Sequence, residues 1–266
     1  MNRLANFYSE REHYLLGWGF ILILMLAWET LPRLVALPRG LTLFFTTPTR
    51  VVEAFYQLIV ENKIQHHLYV SSIEFLFGLA LAIAVGLPLG LIAGRSKIID
   101  AMVDPYVTVL NATPRLIFLP LFILWFGIGM WSKVVIVFIG AVFPLLINTQ
   151  EGVKNVDQVL VNVVRSFGAN EWQVMKTVVL PNSVPYIVAG LRLAIGRAVL
   201  GVVVGEFFGA SEGLGYMIAS AATNYKVDVV FVGVAIFMGL SLVLTLWVKN
   251  LETRLSRWRP EDTKAF

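Results

Sequence analysis

The chain contains no cysteine, and only three of its 266 residues are histidine. Without cysteine, neither a disulfide framework nor a thiolate metal site can form. The histidines are His13 and the adjacent pair His66 and His67. Such a pair at the edge of an apolar segment is more typical of interfacial polar residues than of metal ligands. We therefore predict that the chain holds no metal.

Sequence patterns for catalysis and nucleotide binding are also missing. There is no Gly-Lys dipeptide, which a Walker phosphate-binding loop requires, so the chain does not bind ATP in that way. No Ser-His-acid or paired-carboxylate arrangement is visible. Ser71 and Ser72 lie in an apolar run, where serine hydroxyls are expected to bond to carbonyls of their own helix. The sequence thus predicts no catalytic residue, no cofactor bound by this chain and no enzymatic activity.

Charged residues are scarce at 14%, whereas hydrophobic residues reach 58% and the mean hydropathy is +0.76. A soluble domain of this size cannot bury so much apolar surface, so the chain is predicted to lie largely in a lipid bilayer. Its long apolar runs predict an all-α membrane protein. The net charge of +4 fits basic residues at the cytoplasmic ends of spans better than binding of nucleic acid.

Apolar runs along the chain predict about six transmembrane helices. A cleaved signal peptide is the alternative for the first run, but the run is longer than a signal core and no small-x-small cleavage site follows it. After that run, prolines and scattered charges exclude a span, and a short amphipathic helix is expected at the outer interface over residues 49–59. The predicted spans are 14–31, 68–94, 101–126, 132–148, 184–208 and 227–248.

Two spans have features that predict their packing. Gly86, Gly90 and Gly94 recur every four residues in the second span, which predicts a flat stripe that another helix can approach closely. The third span is interrupted by three prolines, including Pro114, and is expected to be broken and to face the interior of a bundle. A glycine-rich connection over residues 209–226 joins the fifth span to the sixth.

Ionisable groups within the spans are costly to insert and usually face a water-filled path or a partner. Arg197 lies near mid-membrane in the fifth span. It could form a structural ion pair or bond to carbonyls freed by the prolines of the third span, it could line a translocation path, or it could snorkel towards the lipid headgroups. Arg192 and Glu74 are shallower and are expected to be structural. The candidates for a translocation path are Asn111, Arg115, Arg197 and Glu206.

The polar interval 152–181 between the fourth and fifth spans, here called the docking loop, predicts two short helices joined by a turn. Apolar residues at three- and four-residue spacing predict a first helix that begins near Asn155 and is stopped by Gly168. Asn170 is expected to cap the second helix. Pro181 is expected to end the segment and to mark the return to apolar sequence.

The docking loop resembles the "EAA" loop of ABC importer permeases, in which a Glu-Ala-Ala triplet precedes a glycine and a Leu-Pro pair. The chain keeps the glycine and the Leu-Pro pair, while Asn162, Val163 and Val164 replace the triplet. In that family the loop forms the coupling helix that fits a cleft of the ATP-binding subunit. The resemblance implies that the following residues couple to an ATPase: Asn162, Arg165, Ser166, Phe167, Gly168, Ala169, Asn170, Trp172, Leu180 and Pro181.

Further motifs from about residue 70 to 250 resemble the nitrate, sulfonate and taurine branch of ABC importer permeases. They are LWFGIG at 124–129, Phe143-Pro144, Asn148-Thr149, Gly190-Leu191-Arg192, Gly205-Glu206 and GLGY at 213–216. The resemblance implies the type I importer permease fold and a path for a small anionic solute such as nitrate, a sulfonate, taurine or bicarbonate. The expected organisation is an N-terminal span with an outer interfacial segment (1–66), a permease core (67–250) and a basic cytoplasmic tail (251–266).

The resemblance also implies partners. They are a second copy of the permease, two cytoplasmic ATP-binding subunits that hold ATP and Mg²⁺, an external solute-binding protein and membrane lipid, but no nucleic acid. The chain is expected to be a multi-pass protein of the cell inner membrane with both termini cytoplasmic, because basic residues are more frequent on the side of the docking loop. A secondary transporter or channel without an ATPase partner is the alternative. It would explain the broken third span but not the docking loop, and no inverted repeat of hydropathy is visible.

Overall fold

The structure, a computed structural model, describes residues 2–34 and 44–255. These residues are helical almost throughout, with a short 3₁₀ turn (Arg115–Phe118) before α5 and a π-turn (Met175–Val179) before α9. The α-helices are α1 (Asn2–Leu34), α2 (Pro48–Val60), α3 (Lys63–Arg95), α4 (Lys97–Ala112), α5 (Leu119–Phe126), α6 (Met130–Lys154), α7 (Gln158–Ser166), α8 (Glu171–Val174), α9 (Leu180–Gly209), α10 (Leu214–Thr223) and α11 (Val227–Leu255).

Five helical stretches in the described residues are long and apolar enough to cross a membrane, and a bent pair supplies a sixth. The five are Leu15–Leu34, Lys63–Arg95, Met130–Lys154, Glu171–Gly209 and Val227–Arg254. The bent pair is Lys97–Ala112 with Arg115–Phe126, and its halves meet at 91°. The break falls at Pro114, whose ring disfavours a helical conformation at Thr113, and Thr113 is extended. The prediction of an all-α protein with about six membrane helices and a broken third span is confirmed.

The predicted glycine stripe of α3 packs against α6. A Cβ added at Gly90 would lie 2.7 Å from the carbonyl oxygen of Leu146 and 2.7 Å from Cβ of Thr149. Equivalent contacts with α6 surround Gly86 and Gly94. Because only hydrogen fits at these positions, the two helices approach closely. Helix α9 also packs on α6, and the main apolar core comprises Ala82, Val107, Val137, Ala141, Val142, Phe143, Leu145, Leu146, Ala194, Ala198 and Val202.

Two other segments compare differently with the sequence. The amphipathic helix expected at 49–59 is present as α2. In the glycine-rich connection 209–226, where no helix was expected, the structure contains α10. Gly213, with φ +109, precedes this helix. The sequence did not predict this helix because glycine lowers helix propensity. In the structure one glycine precedes the helix, and another makes a close contact within it.

The chain divides into two compact units, residues 1–65 with 217–235 and residues 66–216 with 236–266. In the first unit, Trp28 Nε1 donates to the carbonyl oxygen of Thr46 at 2.9 Å, and its ring lies 5.0 Å from that of Phe231. The second unit contains the docking loop and every candidate path residue. The predicted basic tail lies outside the described residues from residue 256 onward, as do residues 35–43 of the outer segment.

Candidate functional site

The first helix of the docking loop is α7, and it starts later than the sequence predicts. The carboxylate of Asp157 accepts a hydrogen bond from the backbone N–H of Val159 at 2.8 Å and so caps α7, which begins at Gln158. The predicted start near Asn155 is wrong, because Asn155 instead terminates α6. The stop at Gly168 is confirmed: this residue has φ +84, a left-handed conformation that glycine adopts without a side-chain penalty.

The second helix has the predicted cap but not the predicted end. Asn170 Oδ1 accepts from the backbone N–H of Gln173 at 2.9 Å, and the side chain of Gln173 accepts from the backbone N–H of Asn170 at 2.8 Å. This is a capping box. The expected end at Pro181 is wrong, since one continuous helix runs over Glu171–Gly209. The π-turn immediately before Pro181 shifts the hydrogen-bond register of the helix. This shift lets the helix continue although proline has no backbone N–H to donate.

Glu171 ties the turn of the docking loop to the end of α3. Its Oε1 accepts from Arg165, at 3.1 Å from Nε and 2.8 Å from Nη2. The same carboxylate forms an ion pair with Arg95, the last residue of α3. One acidic side chain therefore connects α7, α8 and α3.

The predicted coupling residues divide into an exposed group and a packed group. Phe167 and Trp172 are 86% and 73% exposed, although both are large and apolar. Ala169 packs against the buried cluster beneath the turn, and Leu180 and Pro181 begin α9. The remaining exposed predicted residues are Asn162, Arg165, Ser166, Gly168, Asn170 and Leu180.

Three of the four candidate path residues line one cavity of about 400 Å³ at the break of the third span. They are Asn111, Arg115 and Arg197, and the cavity is here called the arginine cavity. Arg197 Nη1 donates to Asn111 Oδ1 at 2.8 Å. Arg115 Nε is buried and has no acceptor in the described part of the chain. Neither arginine forms a salt bridge with the side chains described over 15–34 and 44–254.

The fourth candidate, Glu206, does not line the arginine cavity. Its carboxylate is fully buried and accepts from Ser71 Oγ at 2.5 Å and from the backbone N–H of Gly215 at 2.6 Å. Nearby, Lys133 Nζ donates to Glu74 Oε1 at 2.9 Å. Ser71, Glu74, Lys133 and Glu206 are here called the carboxylate cluster. The expectation that Ser71 bonds to its own helix is wrong, because its hydroxyl bonds across to α9.

Sequence reasoning missed Lys133 entirely. It stands at the start of α6, where a basic residue is ordinarily assigned to the membrane interface. The available signal was the opposite charge of two residues near the same side of the membrane. The second and fourth spans begin on the same side, and Glu74 and Lys133 lie six residues and one residue past their predicted starts. Such a match predicts a buried pair only when the two helices are known to be neighbours.

Comparison with known proteins shows a consistent set of relatives. The sequence profile of a family described as "binding-protein-dependent transport system inner membrane component" matches residues 86–257. The chain is 38% identical over 213 residues to a putative aliphatic sulfonates transport permease protein SsuC of Bacillus subtilis, covering 80% of this chain and 77% of that protein. It is 31% identical over 251 residues to the taurine transport system permease protein TauC of Escherichia coli, covering 92% and 90%.

Solved structures show a similar fold. An inward-facing form of the MetNI methionine ABC transporter includes a chain that aligns with a TM-score of 0.63 and 19% identity. The alignment covers 76% of this chain and 98% of that one. At this identity the likeness concerns the fold alone.

Proposed function

The chain belongs to the family of binding-protein-dependent transport system inner membrane components, and on that basis we propose that it forms the membrane passage of an ATP-driven importer for a small anionic solute. It is a permease subunit of an ABC importer. In the proposed assembly two copies of the chain associate with two ATP-binding subunits, which hold ATP and Mg²⁺ on the cytoplasmic side. A soluble binding protein delivers the solute from outside.

The docking loop supports the proposed contact with the ATP-binding subunit. Phe167 and Trp172 expose large apolar surfaces at the polar end of the helices, and aromatic side chains of this kind commonly anchor protein interfaces. The backbone that carries these two side chains is held by the capping box and by the two arginine contacts of Glu171. Because this turn is bonded to α3 and continuous with α9, a movement of the ATP-binding subunit would be transmitted to the membrane helices.

One observation carries the proposed solute class: Arg115 and Arg197 line the same cavity, and neither forms a salt bridge in the described part of the chain. A guanidinium keeps its charge at every physiological pH. Because a charge in a low-dielectric region needs a counter-charge or hydrogen-bond acceptors, two unpaired guanidinium groups favour an anion.

The names of the relatives support one class of anion. They are named as permeases for aliphatic sulfonates and for taurine, which both carry a sulfonate group. A sulfonate presents negative charge on three oxygen atoms, and the planar fork of arginine is suited to such multiple acceptors. We therefore propose that the solute is a sulfonate. Other small oxyanions are the alternative solutes.

The proposed coupling is tested by reconstituting the chain with its ATP-binding subunit and binding protein, and by measuring ATP hydrolysis and uptake together. Gly168→Val should lower both activities, because a left-handed backbone conformation costs a residue with Cβ about 1–2 kcal/mol. Within the described residues an added Cβ at Gly168 meets no atom within 4 Å, so the effect would come from the backbone alone.

Two variants serve as matched controls for Gly168→Val. Gly168→Asn should keep coupling, since asparagine tolerates the left-handed conformation. Gly239→Val should also keep it, because Gly239 lies in open space on a helix without positive φ. Full ATP-driven uptake by Gly168→Val would show that the loop is not the coupling element. Uptake driven by an ion gradient without ATP would instead favour a secondary transporter.

The proposed orientation places the docking loop and both termini in the cytoplasm and α2 outside. Because the chain has no cysteine, a single introduced thiol reports its own side of the membrane. Lys176 in the docking loop and Glu53 in α2 are exposed positions that do not cap a helix. Lys176→Cys should react with an impermeant maleimide only from inside, and Glu53→Cys only from outside. Reversed labelling would contradict the orientation.

A further inference from the structure

The carboxylate cluster contains three ionisable groups that are shielded from water. Ser71, Glu74, Lys133 and Glu206 are each exposed by 5% or less. Lys133 Nζ contacts Glu74 at 2.9 Å, and Ser71 Oγ contacts Glu206 at 2.5 Å. Two carboxyl groups and a single ammonium group are thus buried together.

The charges of the cluster do not balance if every group is ionised. Two carboxylates and one ammonium leave one net negative charge. Among the described side chains, no cation other than Lys133 bonds to either carboxyl group. A buried charge without a partner is strongly disfavoured, and a carboxyl group in that position takes up a proton instead.

One carboxylate oxygen also lacks a donor. Glu74 Oε2 is buried and has no hydrogen-bond partner in the described part of the chain. Ser71, which donates to Glu206, stands three residues before Glu74 on α3, so the two carboxyl groups lie on the same side of that helix about one turn apart. Two ionised carboxylates buried this close together would repel, whereas one proton between them supplies the missing donor.

We propose that Glu74 and Glu206 form a proton-binding site in which the two carboxyl groups share one proton and Lys133 balances the remaining charge. The cluster is then neutral, and each carboxyl oxygen has a partner. This inference does not depend on the identity of the solute, and it concerns a part of the chain that does not line the arginine cavity.

The backbone of the GLGY motif approaches Glu206 closely. The backbone N–H of Gly215 donates to its carboxyl at 2.6 Å, and that of Leu214 donates to Ser71 Oγ at 2.8 Å. A Cβ added at Gly215 would lie 2.9 Å from Cβ of Glu206, and one at Gly213 would overlap its carboxyl group. The glycines of the GLGY motif therefore leave room for a buried acid that accepts backbone donors.

The neighbouring titratable groups do not supply a second counter-charge. His66 pairs with Glu212 at 3.1 Å, and both side chains are more than half exposed. Nδ1 of His67 accepts from the backbone N–H of Gly213 at 3.1 Å, so this atom carries no proton in the structure. The ring of Tyr216 lies 6.3 Å from that of His67. None of these side chains bonds to either carboxyl group of the cluster.

The proton can be detected directly by infrared spectroscopy of the purified full-length permease in its complex at neutral pH. A protonated carboxyl group has a C=O stretching band apart from those of carboxylates and amides. The wild-type complex should show this band. Glu74→Gln and Glu206→Gln should each remove it, because each variant keeps a single carboxyl group in the cluster, which stays ionised and balances the charge of Lys133. Glu252→Gln, which alters a partly exposed acid, should leave the band unchanged.

Thermal melting of the same complexes provides an independent readout. Glu206→Gln should melt within about 2 °C of wild type, since it keeps the pair of Lys133 with Glu74 and leaves the charge of the cluster balanced. The double variant leaves Lys133 without a counter-charge and should melt at least about 6 °C lower. The proposal would be overturned if the wild type lacked the band, if the band survived both single substitutions, or if Glu206→Gln melted as low as the double.

Discussion

The carboxylate cluster and the arginine cavity place charge within the helices of the same compact unit, but they differ in how that charge is satisfied. In the cluster, Lys133 and Glu74 are paired at 2.9 Å and are almost fully buried. In the cavity, Arg197 has only the neutral amide of Asn111 as a hydrogen-bond partner in the described residues, and Arg115 Nε has none. The cluster is closed to solvent, whereas the cavity has a volume of about 400 Å³.

The difference indicates two roles for charged groups within a membrane protein, one in the folded structure and one in binding a ligand. A group whose partners are all supplied by the chain contributes to the folded structure, and removing it leaves those partners unsatisfied. A group whose partner is missing is available to a ligand, and removing it leaves the fold unchanged. We expect the cluster to determine assembly of the permease and the cavity to determine transport of the solute.

The largest expected effect is the loss of Lys133. Lys133→Met keeps most of the side-chain volume but leaves the two buried carboxyl groups without a cation. Removing one member of a buried pair costs about 3–5 kcal/mol. We expect the complex to assemble poorly and to melt well below wild type, as measured by size-exclusion chromatography and thermal unfolding. Lys154→Met removes an exposed partner of Asp100 and serves as the control. If Lys133→Met melted at the same temperature as wild type, the distinction between the carboxylate cluster and the arginine cavity would be contradicted.

Arg197→Ala should affect transport rather than assembly. It removes a cation from the cavity without leaving an acidic partner unpaired, so the complex should melt as wild type does. Uptake of a labelled sulfonate should fall at least about tenfold, the scale of one charge-assisted hydrogen bond. Arg197→Lys should recover part of this uptake, because the charge remains while the planar fork is lost. Aggregation of Arg197→Ala would instead assign the residue to the structural class.

The smallest expected effect is that of Arg192→Ala, five residues earlier on the same helix. Arg192 pairs with Glu252, and the two side chains are 42% and 37% exposed. Pairs of this exposure contribute about 0–1 kcal/mol. Melting and uptake should both remain close to wild type. A loss of uptake as large as that of Arg197→Ala would show that charge on α9, rather than its position in the cavity, controls transport.

The sequence predicted the parts of the fold that depend on local pattern. The apolar runs, the glycine stripe of α3, the proline break and the cap at Asn170 each arise from residues close together in the chain, and the structure contains all of them. The prediction that the second helix of the docking loop ends at Pro181 failed because a π-turn immediately before that residue adjusted the hydrogen-bond register. That adjustment has no signal in proline spacing.

The sequence could not predict the contacts that join distant segments. Lys133 and Glu74 are separated by 59 positions, and Glu206 and Ser71 by 135. Their pairing depends on how α3, α6 and α9 pack. Arg197 and Asn111 could be chosen separately as costly residues within spans, but their contact across 86 positions required the bend of the third span to be known. Glu206 met the same sequence criterion and proved to belong to the carboxylate cluster.

The central claim is tested most directly by the double variant Arg115→Ala/Arg197→Ala, with ATP hydrolysis and uptake measured in the same proteoliposomes. The probe is whichever labelled anion the wild-type complex accumulates from taurine, ethanesulfonate and nitrate. We expect the loaded binding protein to stimulate ATP hydrolysis as in wild type, while accumulation of the anion falls at least about tenfold. Wild-type accumulation by the double variant would show that the arginine cavity is not on the path of the solute.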